Sequence, residues 1–185
     1  VTIGTQEWMV ENLRTTKYSD GTTIPNVTGN TAWSNLSTGA WCNYDNSSSN
    51  DATYGKLYNW YAASDSRNVC PTGWHVPTDS EWTILTDYLT ANGHNGTEGT
   101  ALKSTSGWNS GGNGTDDYGF LGLPGGLRYF NGYFNAIGSN GHWWSSSQNN
   151  TDDAWNRLLF HYSNDYVNRD NGSERSGFSV RCLRD

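Results

Sequence analysis

Charge is scarce in this sequence. Only 16% of its 185 residues are Asp, Glu, Lys or Arg, and the eleven Lys and Arg are scattered along a chain of net charge −7. No basic patch tracks a phosphate backbone or grips an anionic membrane, which argues against nucleic acid as a partner. Long apolar runs are missing too. Nothing approaches the roughly 20 consecutive apolar residues of a transmembrane helix, and Val1 does not open a signal peptide. The expectation is a mature or excised piece of protein with no direct membrane insertion. Cysteine is confined to Cys42, Cys70 and Cys182, without the C-x-x-C spacing of a zinc knuckle or a thioredoxin motif. One disulfide plus one thiol that is free or paired elsewhere is the simplest arrangement.

What is present points to a folded, loop-rich domain. Apolar residues reach only 34%, yet 10 Trp and 11 Tyr bring the aromatic share to 14%, which disordered chains do not attain. The length suits one well-buried core, so residues 1–185 are read as a single domain. The 22 Gly, with abundant Asn, Ser and Thr, fit many turns and long irregular loops.

Along the chain, residues 1–24 read as extended arms turned at Asp20-Gly21, and residues 26–51 as a long loop pinned by Trp33, Trp41 and Tyr44. Leu57, Trp60 and Tyr61 at helical spacing predict a short helix over 57–63. A second helix over 79–92 is signalled by Thr78 as N-cap, Glu81 as its capping-box partner, and Trp82, Leu85 and Leu89 on one face. Residues 92–117 form another loop anchored by Trp108, followed by strand-like runs over 143–146, 154–162, 166–169 and 178–183. In the last run Phe178, Val180 and Cys182 alternate with Ser179, Arg181 and Leu183, as in a half-buried strand that carries Cys182 inward. Cys70 leads into the capped helix. Pairing it with Cys182 would close a loop of more than 100 residues, a constraint worth roughly 3 to 5 kcal/mol in the chain-entropy treatment. Two reduced buried thiols are the alternative, and Cys42 is the expected free thiol.

Read in order, "WMVENLRTTKYSDGT", "YGKLYNWYAA", "CPTGWHVPTDSEWTIL", "DYGFLGLPGGLRYFNGYF", "GHWWSSS" and "GFSVRCLRD" resemble the Fibrobacter succinogenes major paralogous domain family over nearly the whole chain. That family is similar in turn to the formylglycine-generating-enzyme and C-type-lectin-like superfamily, where "HVPTDSEW" resembles a helix opening and "GFSVRC" a closing strand. The resemblance implies an α+β fold of C-type-lectin-like or formylglycine-generating-enzyme-like type, with two helices packed on small twisted antiparallel sheets and long irregular loops. It also implies an extracellular or cell-surface setting within a larger exported protein of Bacteroidetes-type bacteria, in agreement with a disulfide.

Catalysis finds little footing. The cysteine pair that formylglycine-generating enzymes place near the C-terminal end is reduced here to Cys182. Ser145 to Ser147 lie near His142 and His161 in sequence, without a nucleophile-elbow motif. Asp116-Asp117 and Asp152-Asp153 are adjacent carboxylates, which point apart rather than across one bond and read as solvated loop charge. His75 reads as a structural imidazole, and His94, His142 and His161 lack zinc-ligand spacing. The expectation is a protein that is not an enzyme. Calcium is the one cofactor the residues suggest, because Asn113, Asp116 and Asp117 concentrate hard oxygen donors in one loop.

Binding is the better reading. The last third interleaves scaffold-like residues with polar and aromatic ones, the mixture that adaptable recognition surfaces use. The expected ligand-binding residues are Tyr129, Asn131, Tyr133, His142, Trp143, Asn149, Asn150, Asn156 and Arg157, continuing with His161, Tyr162, Asn164, Asp165, Tyr166, Asn168, Arg169, Asp170 and Arg175. The ligand is expected to be a glycan or a protein. The E-P-N and Q-P-D motifs of calcium-dependent lectins do not occur, so fold resemblance alone does not make a lectin. The Asn, Asp, Ser, His and Tyr mixture over 149–175 also resembles targets of diversity-generating retroelements, which would make the region a hypervariable protein-recognition surface. A passive structural module of a large adhesin is the third reading.

Overall fold

A chain with few aliphatic runs builds regular structure in short pieces, and the first half of this protein consists of little else. The computed structural model describes residues 1–162 and 165–185. It opens with β1 (Thr2–Ile3) and β2 (Gln6–Glu7), an antiparallel pair turned at Gly4, whose φ of 61° favours glycine. There follow α1 (Asn30–Ser34), β3 (Trp41–Cys42), α2 (Asp51–Tyr54), β4 (Leu57–Tyr58), α3 (Trp60–Ala63) and β5 (Trp74–His75). Helices α4 (Asp79–Leu89) and α5 (Glu98–Leu102) precede a strand-rich second half. That half holds β6 (Gly125–Arg128), β7 (Phe134–Ile137), β8 (Asn140–Gln148), β9 (Asp153–Phe160), β10 (Asn168–Ser173) and β11 (Leu183–Arg184).

Five strands form the main sheet in the order β10-β9-β8-β6-β7. Its pairs are antiparallel except β6 and β8, which meet in parallel at Gly126 and Gly141. A register shift between Trp144 and Gln148 bends β8 and curls the sheet. Three two-stranded sheets, β1-β2, β3-β4 and β5-β11, surround it, so the fold is mixed α+β with small sheets and few helices.

Helix α4 starts as its sequence dictates. Thr78 Oγ1 accepts the Glu81 N–H at 3.2 Å while Glu81 Oε2 accepts the Thr78 N–H at 2.7 Å, a complete capping box. Trp82, Leu85 and Leu89 are buried on its inner face. The helix stops at Leu89 rather than 92, because Asn92 and Gly93 leave helical geometry and residues 90–94 pass through a wider turn.

Other expectations are corrected as well. The helix anticipated over 57–63 is only α3, since Leu57 and Tyr58 pair as a strand with β3. Asn59 divides the two. Its buried Oδ1 accepts the Ala62 N–H, which starts the helix, and the Ala40 N–H, which fixes the preceding loop. The closing run over 178–183 is not half-buried, because Ser179, Arg181 and Leu183 are buried along with Phe178, Val180 and Cys182. The segment is a thread through the core. Residues 9 and 13 donate backbone hydrogen bonds to Cys182 and Val180, and Arg181 donates to Phe120 O, Leu121 O and Asn12 Oδ1.

Cys70 and Cys182 are joined in a disulfide with Cα atoms 6.0 Å apart and a sequence separation of 112, tying the approach to α4 to this thread. Cys42 is free and fully buried, and desolvation pushes its thiol up to about 12, which makes it inert. The segment over 26–51, expected as one long loop, carries α1 and β3 instead, and it is pinned by Trp33, whose Nε1 donates to Arg175 O at 2.7 Å, and by Arg128. The buried Arg128 guanidinium lies between the Trp33 and Phe134 rings, 4.4 and 4.7 Å from their centroids, and donates to Gly132 O, Val27 O and Thr28 O.

Candidate functional site

A strand alternates its side chains across the sheet, so parity in β8, β9 and β10 decides which polar residues can act together. The register sets Trp144 opposite Asn156, Asn156 opposite Asp170, and His142 opposite Leu158. His142, Trp144, Asn156, Asn168 and Asp170 therefore share one face. Trp143, Trp155, Arg157 and Arg169 occupy the other.

That second face is closed by α4. Trp143 joins the core built by Trp8, Trp82 and Phe120. Arg157 donates to Asp79 Oδ1 at 2.7 Å, Asp79 O at 2.9 Å and Thr83 Oγ1 at 3.1 Å. Arg169 adds a forked pair to the same carboxylate at 2.8 to 3.0 Å and stacks 3.4 Å above the Trp155 ring. Burial alone would raise the Asp79 pKa, but the hydrogen bonds from Arg169 and Arg157 outweigh it and hold the carboxyl below its usual range. Trp143, Arg157 and Arg169, expected to bind a ligand, are engaged instead in fastening the helix to the sheet.

The first face is covered around Trp144 by Tyr58 and Phe178 and opens only over a pocket of about 270 Å³ between the β6–β7 turn and β10. Leu127, His142, Asn156 and Phe178 form its floor, and Tyr129, Phe130, Asn140 and the stretch Asp170 to Ser173 rise around it. The His142 ring stacks on Phe178 with centroids 4.7 Å apart. His142 is 9% exposed and Asn156 2%. Among the described residues neither ring nitrogen of His142 has a hydrogen-bond partner of good geometry, nor does Asn156 Oδ1, and all three atoms are closed off from solvent. Burial drives the imidazole down to about 4, with a long hydrogen-bonding contact to the Asn156 side chain drawing it only partly back, so His142 is neutral at ordinary pH. A larger depression of about 500 Å³ along residues 8–14 has no such atoms in its wall among the described residues. Asn12, its most buried polar side chain, is fully engaged with Tyr54 O, Ser179, Trp143 and Arg181.

The family model described as Fibrobacter succinogenes major domain matches residues 1–184. The chain belongs to this family. No curated protein and no solved structure gives a significant match.

In this Fibrobacter succinogenes major domain the pocket gathers Tyr129, His142, Asn156 and Asp170 from the residues anticipated by sequence. The remaining ones are dispersed. Asn131 and Tyr133 are exposed on the β6–β7 turn. Asn149 and Asn150 build the β8–β9 turn, with Asn150 Oδ1 accepting the Asp152 and Asp153 N–H groups. His161, Tyr162, Asp165 and Tyr166 lie in the connection after β9, and Asn168 Nδ2 reaches Leu158 O at 3.4 Å. Arg175 donates to Ser34 O at 2.9 Å, and Asn164 lies outside the described residues. Phe130, Asn140, Ser176 and Phe178 were missed. The first could have been found as the partner of Tyr129 at a turn, whereas the last three become visible only once strand register is known.

The proposed calcium donors serve the loop that carries them. Asn113 Oδ1 accepts the Trp108 N–H, Asp116 Oδ1 the Leu121 N–H, and Asp117 Oδ2 the Thr115 hydroxyl, at 2.7 to 3.0 Å. Desolvation raises the Asp116 pKa despite that backbone bond. Among the described residues no three His, Cys, Asp or Glu side chains gather closely enough to hold a metal. The serines near His142 are likewise engaged, Ser145 Oγ accepting the Ser147 N–H and Ser147 Oγ the Asp79 N–H.

Proposed function

We propose that this domain is a non-catalytic ligand-binding module and that the pocket over His142 and Asn156 is its recognition site. One observation carries this reading: a pocket of about 270 Å³ lined by His142, Asn156 and Phe178 and flanked by the exposed rings of Tyr129 and Phe130 opens on the side of the sheet away from α4. A glycan is the ligand class that best suits neutral donors and acceptors beneath aromatic walls.

The mixed fold with its curled sheet, capped α4 and buried closing thread supports a C-type-lectin-like architecture as the finer description. The Cys70–Cys182 bond supports an oxidising, exported setting at the cell surface, within a larger protein. Protein recognition is the second reading, favoured by the neighbouring exposed rings of Tyr129, Phe130 and Tyr133.

The test is a glycan and polysaccharide array probed with wild type and His142→Phe, with calcium and with a chelator. Binding that vanishes in His142→Phe supports the pocket, and chelator sensitivity adds calcium to the site. Equal binding by both proteins moves recognition elsewhere. Silence on every glycan shifts the assignment to protein partners engaged through the exposed rings.

A further inference from the structure

We propose that His75 is a pH-sensitive latch: as an imidazolium it ties the end of β11 to the first turn of α4, and on losing its proton it lets Asp185 go. The latch stands apart from the pocket and does not depend on what binds there. Strands β5 and β11 pair His75 with Leu183 and Trp74 with Arg184, which brings Asp185 beside the ring. His75 Nδ1 lies 2.7 Å from Asp185 Oδ1, and its Nε2 lies 3.0 Å from Glu81 Oε1. Ionised carboxylates only accept hydrogen bonds, whereas a neutral imidazole has one N–H and one bare nitrogen. Both contacts are therefore satisfied only when the ring carries two protons. Among the described residues no other histidine has a carboxylate at hydrogen-bond distance on both nitrogens. His94 approaches Asp117 at 3.9 Å, His161 touches Ser139 O, and the His142 nitrogens face no carboxylate.

The two carboxylates are held unequally. Glu81 is fixed by the capping box, its Oε2 accepting the Thr78 N–H at 2.7 Å and the Thr78 hydroxyl at 2.8 Å. The Asp185 side chain is 59% exposed against 28% for Glu81, and among the described residues the ring is its only hydrogen-bond partner. A neutral ring thus keeps its proton on Nε2 toward Glu81 and turns a lone pair on Asp185, which swings into water. Burial disfavours the imidazolium, but the bonds to Asp185 and Glu81 outweigh it and hold the His75 pKa above 6.5. Burial would likewise raise the Glu81 carboxyl, yet Thr78 and His75 keep it below its usual range, so it is ionised while the ring titrates. The remaining charges nearby are paired with one another, Arg184 with Glu7 on β2 and Arg67 with Asp65 in the loop that shares a depression with His75. The latch is complete below the ordinary imidazole value and is lost as pH rises through the higher value set by the fold. Its release is local, because the Cys70–Cys182 bond still holds the chain just before β11.

The experiment follows two reporters by NMR from about pH 5 to about pH 9. One is the His75 ring, and the other is the Asp185 amide, which donates to Gly73 O at 3.1 Å. Wild type is compared with Asp185→Asn, with His75→Gln, and with Glu81→Gln, which keeps an acceptor for the capping box. The wild-type ring is expected to titrate above 6.5, and its midpoint to fall toward that value in Asp185→Asn and Glu81→Gln. Protection of the Asp185 amide, corrected for the intrinsic pH dependence of exchange, should drop about threefold through the same midpoint, the size of one partly exposed ion pair. In His75→Gln that protection should not change with pH. Nitrogen shifts of the neutral wild-type ring should place its proton on Nε2. A ring that titrates at or below 6.5, variants that titrate like wild type, or protection that ignores the midpoint would each overturn the latch. A neutral ring protonated on Nδ1 would overturn it as well, since Asp185 would then be the carboxylate retained.

Discussion

The two faces of the five-stranded sheet solve opposite problems with the same short stretch of chain. On the face beneath α4, two arginines share one carboxylate, every guanidinium has an acceptor, and a tryptophan lies under the exposed one. On the open face, one residue away in β8 and β9, His142 and Asn156 are buried almost as deeply and left without partners among the described residues. Adjacent positions thus carry structure on one side and unmet bonding capacity on the other. Burial of a polar residue says little about its role until its bonds are followed, since Arg157 and Asn156 are equally inaccessible.

Removing the covered face's anchor should have the largest effect. Asp79→Ala leaves Arg157 buried without its counterion and should cost about 3 kcal/mol in chemical denaturation, near the low end for broken buried pairs because Asp79 is partly solvated. A loss below ~1 kcal/mol would mean that the face is held by its apolar contacts alone.

Acid should expose the other face. The folded-state pKa of His142, about 4, lies below its ordinary 6.5, so the unfolded chain takes up a proton that the folded chain refuses. Stability from this group is complete above the ordinary value and falls as pH drops from there toward the folded value. The shift corresponds to a loss on the order of 3 kcal/mol. Asp79 and Glu81, whose pKa values are lowered by their partners, also destabilise in acid, so the measurement is the difference between wild type and His142→Phe. Parallel pH profiles for the two proteins would show that the imidazole is already solvated.

At neutral pH the same substitution should be mildly stabilising, by about 1 kcal/mol, since a phenyl ring keeps the stack on Phe178 and has no nitrogens to desolvate. For a chain of this length that is a rise of ~2 to 4 °C in thermal midpoint, readable by calorimetry. A falling midpoint would place His142 among the structural residues. The smallest effect belongs to the exposed β6–β7 turn, where Tyr133→Ser, 64% exposed in wild type, should change stability by less than ~0.5 kcal/mol. A larger loss would show that the turn it decorates depends on its ring.

Much of the framework was legible. Thr78 and Glu81 announce the start of α4, the spacing of Trp82, Leu85 and Leu89 its inner face, and Trp33 and Trp108 sit buried where loops need anchors. The pairing of Cys70 with Cys182 was legible in the inward phase of Phe178, Val180 and Cys182, although the residues between them proved buried as well. The candidate site was harder, because Trp143 and Trp144 are both buried and hide the alternation that would separate one face from the other. Asn156-Arg157 reads as a polar surface step although both side chains are interior. Asn59 misled for a different reason: a single capping side chain turns an apparent helix into a strand followed by one helical turn.

The bond between Cys70 and Cys182 also determines how the domain fails when it is damaged. It spans α4, α5, the long loop over 103–124 and the whole five-stranded sheet. One protease cut anywhere in that span leaves the two fragments covalently joined, each still packed against its neighbours. A nicked domain should migrate as an intact chain on a denaturing gel run without reductant and separate into two bands only when the disulfide is reduced.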